Sequence, residues 1–365
     1  MAKLRVAVLF GGRSGEHEVS LVSASSVIEK LDPEKYEVIP VGITKEGRWI
    51  AGPESMQLLK SGRAPSESNA LIKPEPPSRA GAVGGLGKID VVFPVLHGPY
   101  GEDGTVQGFL ELAGLPYVGC GVLGSSVCMD KVMQKKILAL EGIRQVAYEW
   151  FWSSEWEKEK PRILETESLA YPLFVKPANM GSSVGISKVR NAEELEGAVA
   201  EAMRYDRKII IERGVLGARE IEVALLGSRR PRASVPGEVI SSNEFYDYDA
   251  KYVDGASRTQ IPAKLARDLV AQIQDTAIRA YKALDCEGMA RADFLLAEDG
   301  GELYLNEVNT IPGFTSISMY PKLWEASGIG YAELLDELIR LALARAGEKE
   351  RLLVSYKPKS EWYAL

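Results

Sequence analysis

Several short stretches of the chain combine residue types that handle metal, phosphate and carboxylate chemistry. The sharpest is a pair, residues 289–296 (MARADFLL) and 303–309 (LYLNEVN). Side chains two apart on a strand share a face, so Arg291 and Asp293 point one way, as do Glu307 and Asn309. The intervening EDGG is a hairpin signal. With Asp299-Gly300-Gly301 as the loop, Asp293 lies opposite Glu307 and Arg291 opposite Asn309, at cross-strand spacings of about 5 Å. Two carboxylates and an amide oxygen on one face suit a hard divalent cation that keeps water and phosphate oxygens as its other ligands. A solvated face of mixed charge is the alternative, but acids placed face to face destabilise a sheet. In residues 174–187 (FVKPANMGSSVGIS) a strand ends on Lys176 and runs into a glycine-serine loop, whose N–H groups, with the lysine, could cradle phosphate. Lys176 precedes the glycines, so this is not a Walker A loop.

Four further stretches are weaker alone. GGRSGEHEVS (11–20) follows the first apolar run and superficially resembles a dinucleotide fingerprint. That motif needs an acid ending the second strand, where this chain has Val41-Gly42-Ile43-Thr44. Glu16 and Glu18 could cap a helix dipole or bind an ammonium group. HGPYGEDGTVQG (97–108) stands at the C-terminal end of an expected parallel strand, where open α/β sheets place ligands; it reads equally as a turn in which Asp103 or Thr105 caps a helix. NTIPGFTSISMYP (309–321) offers backbone N–H groups to a carboxylate or an oxyanion. EFYDYDAKYVDG (244–255) is dense in Tyr and Asp and on composition reads as an aromatic cluster or surface strand.

The elements that must position these groups follow from periodicity. Apolar runs at 3–10, 36–43, 89–96 and 115–119 alternate with helical spacing at 20–31 and 105–114, a βαβ pattern that predicts a parallel sheet. Residues 61–88, rich in Pro, Gly and Ser, read as an irregular excursion or a mobile hairpin. Near Ser125 the pattern changes. A helix at 130–141 leads into a Trp-rich charged stretch (149–160), a strand at 171–177, an amphipathic helix at 192–204, and strands at 208–213 and 220–227. This order predicts a smaller α+β lobe. A helix at 263–284, strands at 289–297 and 302–308, and a helix at 331–346 complete the chain.

With 365 residues, two or three domains are expected. The 45% hydrophobic and 26% charged composition is that of a globular chain. A net charge of −7 argues against a general nucleic-acid binder. No apolar run approaches the ~20 residues of a membrane span, and the N-terminus lacks the features of a signal peptide, so a cytoplasmic protein is expected. Cys120, Cys128 and Cys286 have no paired spacing, which points to neither a disulfide framework nor zinc. His17 and His97 are the only histidines, so any metal should be oxygen-liganded.

Taken together, GGRSGEHEVS, HGPYGEDGTVQG, KPANMGSSVGIS, EFYDYDAKY, ARADF and NEVNTIPGFT occur in the order, and at spacings compatible with, the D-alanine–D-alanine ligase family of the ATP-grasp superfamily. The resemblance covers residues 3 to about 346; the stretch 149–160 is poorly determined by it, and 61–88 is longer than in compact members. It implies an α/β protein with α+β lobes: an ATP-grasp fold with an N-terminal parallel α/β domain. The expected divisions are 1–125 (substrate side), 126–215 (central lobe) and 216–365 (C-terminal lobe with metal site and lid). It further implies ATP-dependent joining of two D-alanines through a D-alanyl phosphate, for peptidoglycan precursors, with two Mg²⁺ ions, or Mn²⁺ in their place, in a homodimer that binds no nucleic acid or membrane.

Residue roles transfer the same way. Lys131 and Lys176 would hold ATP phosphates, with Lys251 at the γ-phosphate. Glu212, Arg213 and Val215 would line the adenine edge, Glu220 would take the ribose, and Phe245 would pack on the base. Asp293, Glu307 and Asn309 would bind the metal ions. Glu16 would grip the first D-alanine's ammonium, while Glu16, Ser182 and Tyr252 would form a triad joining substrate to a lid at about 241–258. Arg291 and the Gly313 backbone would stabilise the tetrahedral oxyanion. Ser318 and the Met319 backbone would hold the second D-alanine's carboxylate, with His97 nearby. Ligases that make D-alanyl-D-lactate lack the tyrosine, so the intact YDYDAKY run implies a dipeptide product. Two other readings stay open: an ATP-grasp carboxylate–amine ligase for different amino acids, and a nucleotide-binding protein without activity.

Overall fold

In the computed structural model, residues 2–62, 71–72, 87–166, 169–240, 258–297 and 301–356 are described. The first unit begins with β1 (Leu4–Gly11), α1 (His17–Lys30) and β2 (Tyr36–Ile43). β1 is buried along most of its length, as a strand covered on both faces must be. β2 lies parallel to it on one side, and β5 (Val91–Pro94) on the other. Two short antiparallel strands, β3 (Trp49–Ala51) and β4 (Leu71–Ile72), extend the sheet in the order β4-β3-β2-β1-β5; α2 (Ser55–Ser61) lies between them in sequence. The strand expected at 115–119 is reduced to one parallel bridge, Val92 to Tyr117. Its backbone leaves at once for a helix that the sequence pattern does not announce, α4 (Val122–Met129), which follows α3 (Thr105–Leu112).

α5 (Lys131–Leu140) follows at once, capped by Asp130, whose carboxylate accepts from the N–H groups of Val132 and Met133. The Trp-rich stretch, left open by the sequence, resolves into β6 (Tyr148–Trp152), one 3₁₀ turn and α6 (Trp156–Leu164). With β7 (Leu173–Pro177), β8 (Ser187–Val189) and β9 (Lys208–Arg213) it forms an antiparallel sheet ordered β6-β9-β7-β8. α7 (Ala192–Ala202), capped by Asn191, packs its apolar side on that sheet.

The third unit is built on β10 (Arg219–Gly227), β11 (Arg232–Ala233), β12 (Gly237–Ile240), β13 (Arg258–Gln260), β14 (Gly288–Leu296) and β15 (Leu303–Asn309). β10 pairs with β12 on one side and β14 on the other. Burial along β14 alternates residue by residue from Ala290 onward: one face meets α8 (Arg267–Ala283) in a core with Val223, Ala292 and Val308, and the other carries the polar side chains. α9 (Met319–Ala326) and α10 (Tyr331–Lys349) complete it. One apolar cluster joins Val8, Phe10 and Phe93 of the first sheet to Met289, Phe314, Tyr320 and Leu338 of the third unit. The central sheet has a core of its own.

A candidate nucleotide and amino-acid site

The polar face of β14 holds the expected pair. Asp293 lies opposite Glu307, and Arg291 opposite Asn309. The route to this register differs from the simple hairpin: Phe294 pairs with Leu305, so one extra residue, Asn306, is taken up in a bulge beside Asp293. The hairpin tip, residues 298–300, lies outside the described residues. Arg291 forks onto Asp293, Nε to Oδ1 at 2.7 Å and Nη2 to Oδ2 at 2.6 Å. Asn309 Nδ2 donates to Asp293 Oδ2 at 2.9 Å. The next strand adds a carboxylate that the sequence reading passed over. Glu222, directly across from Asp293 on β10, stands 3.0 Å from Arg291 Nε. Its signal was the alternation EIE at 220–222, which puts Glu220 and Glu222 on one face.

Among the described residues no group of three His, Cys, Asp or Glu side chains forms a metal cage. The donors here are fewer and all hard: the carboxylates of Asp293 and Glu307 and the amide oxygen of Asn309, whose Nδ2 is turned to Asp293. That set leaves positions for water and phosphate oxygens, as Mg²⁺ requires, so the residues fit the ion. Cys120, Cys128 and Cys286 are buried and free, with Cys128 Sγ and Cys286 Sγ 3.5 Å apart.

The lysines gather opposite this face. Lys131, the first residue of α5, donates to Met180 O at 2.7 Å and stands 3.6 Å from Glu307. Lys176, on β7, meets Glu212 at 2.5 Å. Glu212 is 3% exposed and its other oxygen forms an ion pair with Lys135, at 2.8 Å. Burial alone would raise the Glu212 pKa, but the two ammonium groups hold it down at about 2. Burial likewise lowers that of Lys176, and Glu212, Glu307 and Glu220 more than reverse this, so the ammonium stays charged. Arg213 is exposed and Val215 half-buried just past the end of β9, and Glu220 is half-buried on β10.

Three of the sequence motifs converge on Glu16. It occupies the position before α1 but caps nothing there. Instead it accepts a hydrogen bond from Ser182 Oγ, far away in the glycine-serine loop. Glycines at two approaching segments make room: a Cβ on Gly98 would come 2.7 Å from Glu16 Oε2, and one on Gly181 2.6 Å. Ser182 and Ser183 both adopt positive φ, 47° and 61°, a conformation held only under constraint for residues with a Cβ. Glu102, inside the 97–108 motif, accepts from Gly98 N at 2.8 Å. Burial and the nearby Glu16 charge push its pKa up to about 8. Glu18, by contrast, pairs with Lys45 at 2.6 Å on the surface. Asp103 accepts from Tyr100 N and Thr105 N, both at 2.9 Å, within the turn that precedes α3, whose N-cap position is Gly104.

His97 is buried, and burial lowers its pKa. Its Nδ1 donates to Ile311 O at 3.1 Å, so its Nε2 accepts from Ser23 Oγ at 3.3 Å. Ser23, a further residue not expected from sequence, in turn accepts from Phe314 N. The histidine thus ties residues 309–315 to the first unit as a neutral ring. Within this loop a Cβ on Gly313 would lie 2.8 Å from Ser318 Oγ, which accepts from Thr315 N at 3.0 Å. Met319 follows as the first residue of α9. Phe245, Lys251 and Tyr252 lie outside the described residues, as does the expected lid at about 241–258 except for Arg258, the first residue of β13.

Comparison with known proteins matches the same regions. Residues 5–120 fit the family model for the D-ala D-ala ligase N-terminus, and residues 137–340 that for the C-terminus. A D-alanine–D-alanine ligase of Natranaerobius thermophilus is 52% identical, over 96% of this chain and 98% of its own. Among solved structures, the D-alanine-D-alanine ligase of Coxiella burnetii superposes with a TM-score of 0.82 at 38% identity, covering 96% of this chain and 97% of its own. A D-Ala:D-Ser ligase from Enterococcus faecalis gives 0.83 at 38%, covering 93% and 100%.

Proposed function

The chain belongs to the D-alanine–D-alanine ligase family, and on that footing we propose that it joins two D-alanines at the expense of ATP, through a D-alanyl phosphate, to supply peptidoglycan precursors. One observation carries the site assignment: Arg291, Asp293, Glu307 and Asn309 share a sheet face, with Lys131 3.6 Å from Glu307.

A carboxylate is a poor electrophile and must be activated before an amine will attack it. Glu16, seated between Gly98 and Gly181, accepts the ammonium of the first D-alanine and so aims its carboxylate at the nucleotide. Lys131 and Lys176 hold the phosphates in line. Mg²⁺ held by Asp293, Glu307 and Asn309 would neutralise charge on the phosphoryl oxygens. Ser318 and the first N–H groups of α9 take the carboxylate of the second D-alanine. Its amine attacks the acyl carbon, Arg291 with the Gly313 N–H offsets the oxyanion that develops, and collapse of the tetrahedral intermediate breaks the C–O bond to phosphate, which leaves as the amine gives its proton to solvent. Glu212, Arg213 and Val215 would border the adenine, Glu220 the ribose. Phe245, Lys251 and Tyr252 complete the reading as base contact, γ-phosphate contact and lid, and a homodimer is its assembly.

The test is release of ADP and phosphate with D-alanine present and absent, with the product identified by mass. D-alanine-dependent release with D-alanyl-D-alanine as product is expected. ATP hydrolysis indifferent to D-alanine would overturn the reading. D-serine offered beside D-alanine decides between dipeptide products, since a D-Ala:D-Ser ligase is as similar in structure as the D-alanine-D-alanine ligase.

A further inference from the structure

Lys135 has no part in the chemistry above, yet it is among the most deeply buried charged groups of the molecule, 1% exposed. It lies four residues after Lys131 on α5, so the two project from one side of the helix. Its ammonium meets Glu212 Oε1 at 2.8 Å and the face of Tyr148, 5.5 Å from the ring centre. Tyr148 is the β6 partner of Glu212 itself. The other Glu212 oxygen holds Lys176 at 2.5 Å. Three elements therefore deliver two ammonium groups to one buried carboxylate.

Burying a charge is costly unless it is paired. Glu212 with Lys176 would already be a neutral pair, and a neutral pair would be the cheaper interior. Such a pair, however, offers little to a polyphosphate, because the carboxylate that orients Lys176 also cancels it. With Lys135 added, two ammonium groups share the one Glu212 carboxylate, so Glu212 no longer cancels Lys176 alone. We propose that Lys135 is a positioning residue for the nucleotide: it occupies Glu212 so that Lys176 is held in place while its charge remains available to the phosphates. The inference rests on the nucleotide reading above.

Binding of ADP by calorimetry, with adenosine measured by competition, separates charge from scaffolding. K135M is expected to weaken ADP binding about tenfold and to leave adenosine binding within about threefold, because adenosine carries no phosphate. A strut that merely holds α5 on the sheet would weaken both alike, and that result overturns the inference. If K135M does not fold, E212Q and K135M/E212Q carry the test. Both lack the carboxylate and differ by one positive charge, so E212Q must bind ADP the more tightly while adenosine makes no distinction. Equal ADP affinity in that pair overturns the inference. If wild type binds ADP and the variants bind it equally well, the inference alone fails; if wild type binds no ADP, the nucleotide reading fails with it.

Discussion

Two single residues have consequences that can be measured directly. Arg291 is shared between Asp293 and Glu222 through a planar fork, and lysine cannot reproduce that geometry. R291K is expected to lower kcat by about 10²-fold, the cost of losing one well-placed oxyanion donor, while KM for ATP changes far less; steady-state kinetics on both substrates check the split. Glu102 bears on stability. Its folded pKa, about 8, stands above the usual carboxylate value near 4.5. The folded protein therefore holds a proton that the unfolded chain releases. The stability this contributes is complete below about pH 4.5 and is lost as pH rises through about 8. E102Q, which keeps the neutral form throughout, should gain on wild type as pH rises from about 5 to 9. Thermal melts that run parallel over that range would refute it.

Among the elements, α4 shows how a site is set from behind. It ends on Met129, so its position fixes Asp130 and Lys131. A Cβ on Gly124 would come 2.5 Å from Asp285 O, which means that the helix docks on backbone, and backbone does not yield. G124V should destabilise the protein by about 1–3 kcal/mol and weaken nucleotide binding through Lys131; denaturant unfolding and ADP titration read the two effects. β15 makes a related point. Its bulge at Asn306 absorbs the one-residue shift between the pairing of Leu296 with Leu303 and that of Asp293 with Glu307, so the acids face each other.

At the scale of the whole molecule, the first and third units share one apolar core. Arg345 of α10 fastens them further, donating to Gly119 O at 2.7 Å and Tyr117 O at 2.8 Å and lying over the Tyr117 ring. Among the described residues, the central sheet has a separate core, and its contacts with the rest include those of α5 and the Ser182–Glu16 bond. Hydrogen exchange should therefore show the first and third units opening together and the central sheet opening at lower free energy. ADP should raise protection of the central sheet by about 2.7 kcal/mol at a hundredfold excess over Kd. Uniform protection without ADP would count against this division. No helix among the described residues is long and apolar enough to cross a membrane.

The local pattern of the chain determined a good deal by itself. Strand and helix periods are written in consecutive residues, which is why β1, β2, β9 and α5 lie where spacing puts them. Alternation alone set Arg291 and Asp293 on one face, and six short motifs sufficed to indicate the family. What spacing could not carry was partnership across distance. Glu212 was legible as a strand position but not as the carboxylate between Lys135 and Lys176, because its partners lie 77 and 36 positions earlier. Glu222 became part of the site only when β10 paired with β14. His97 and Ser23 became a tie only when residues 309–315 folded over them. Burial and pairing depend on what the rest of the chain brings alongside, and it is burial that turns an ordinary lysine or glutamate into one whose charge has consequences.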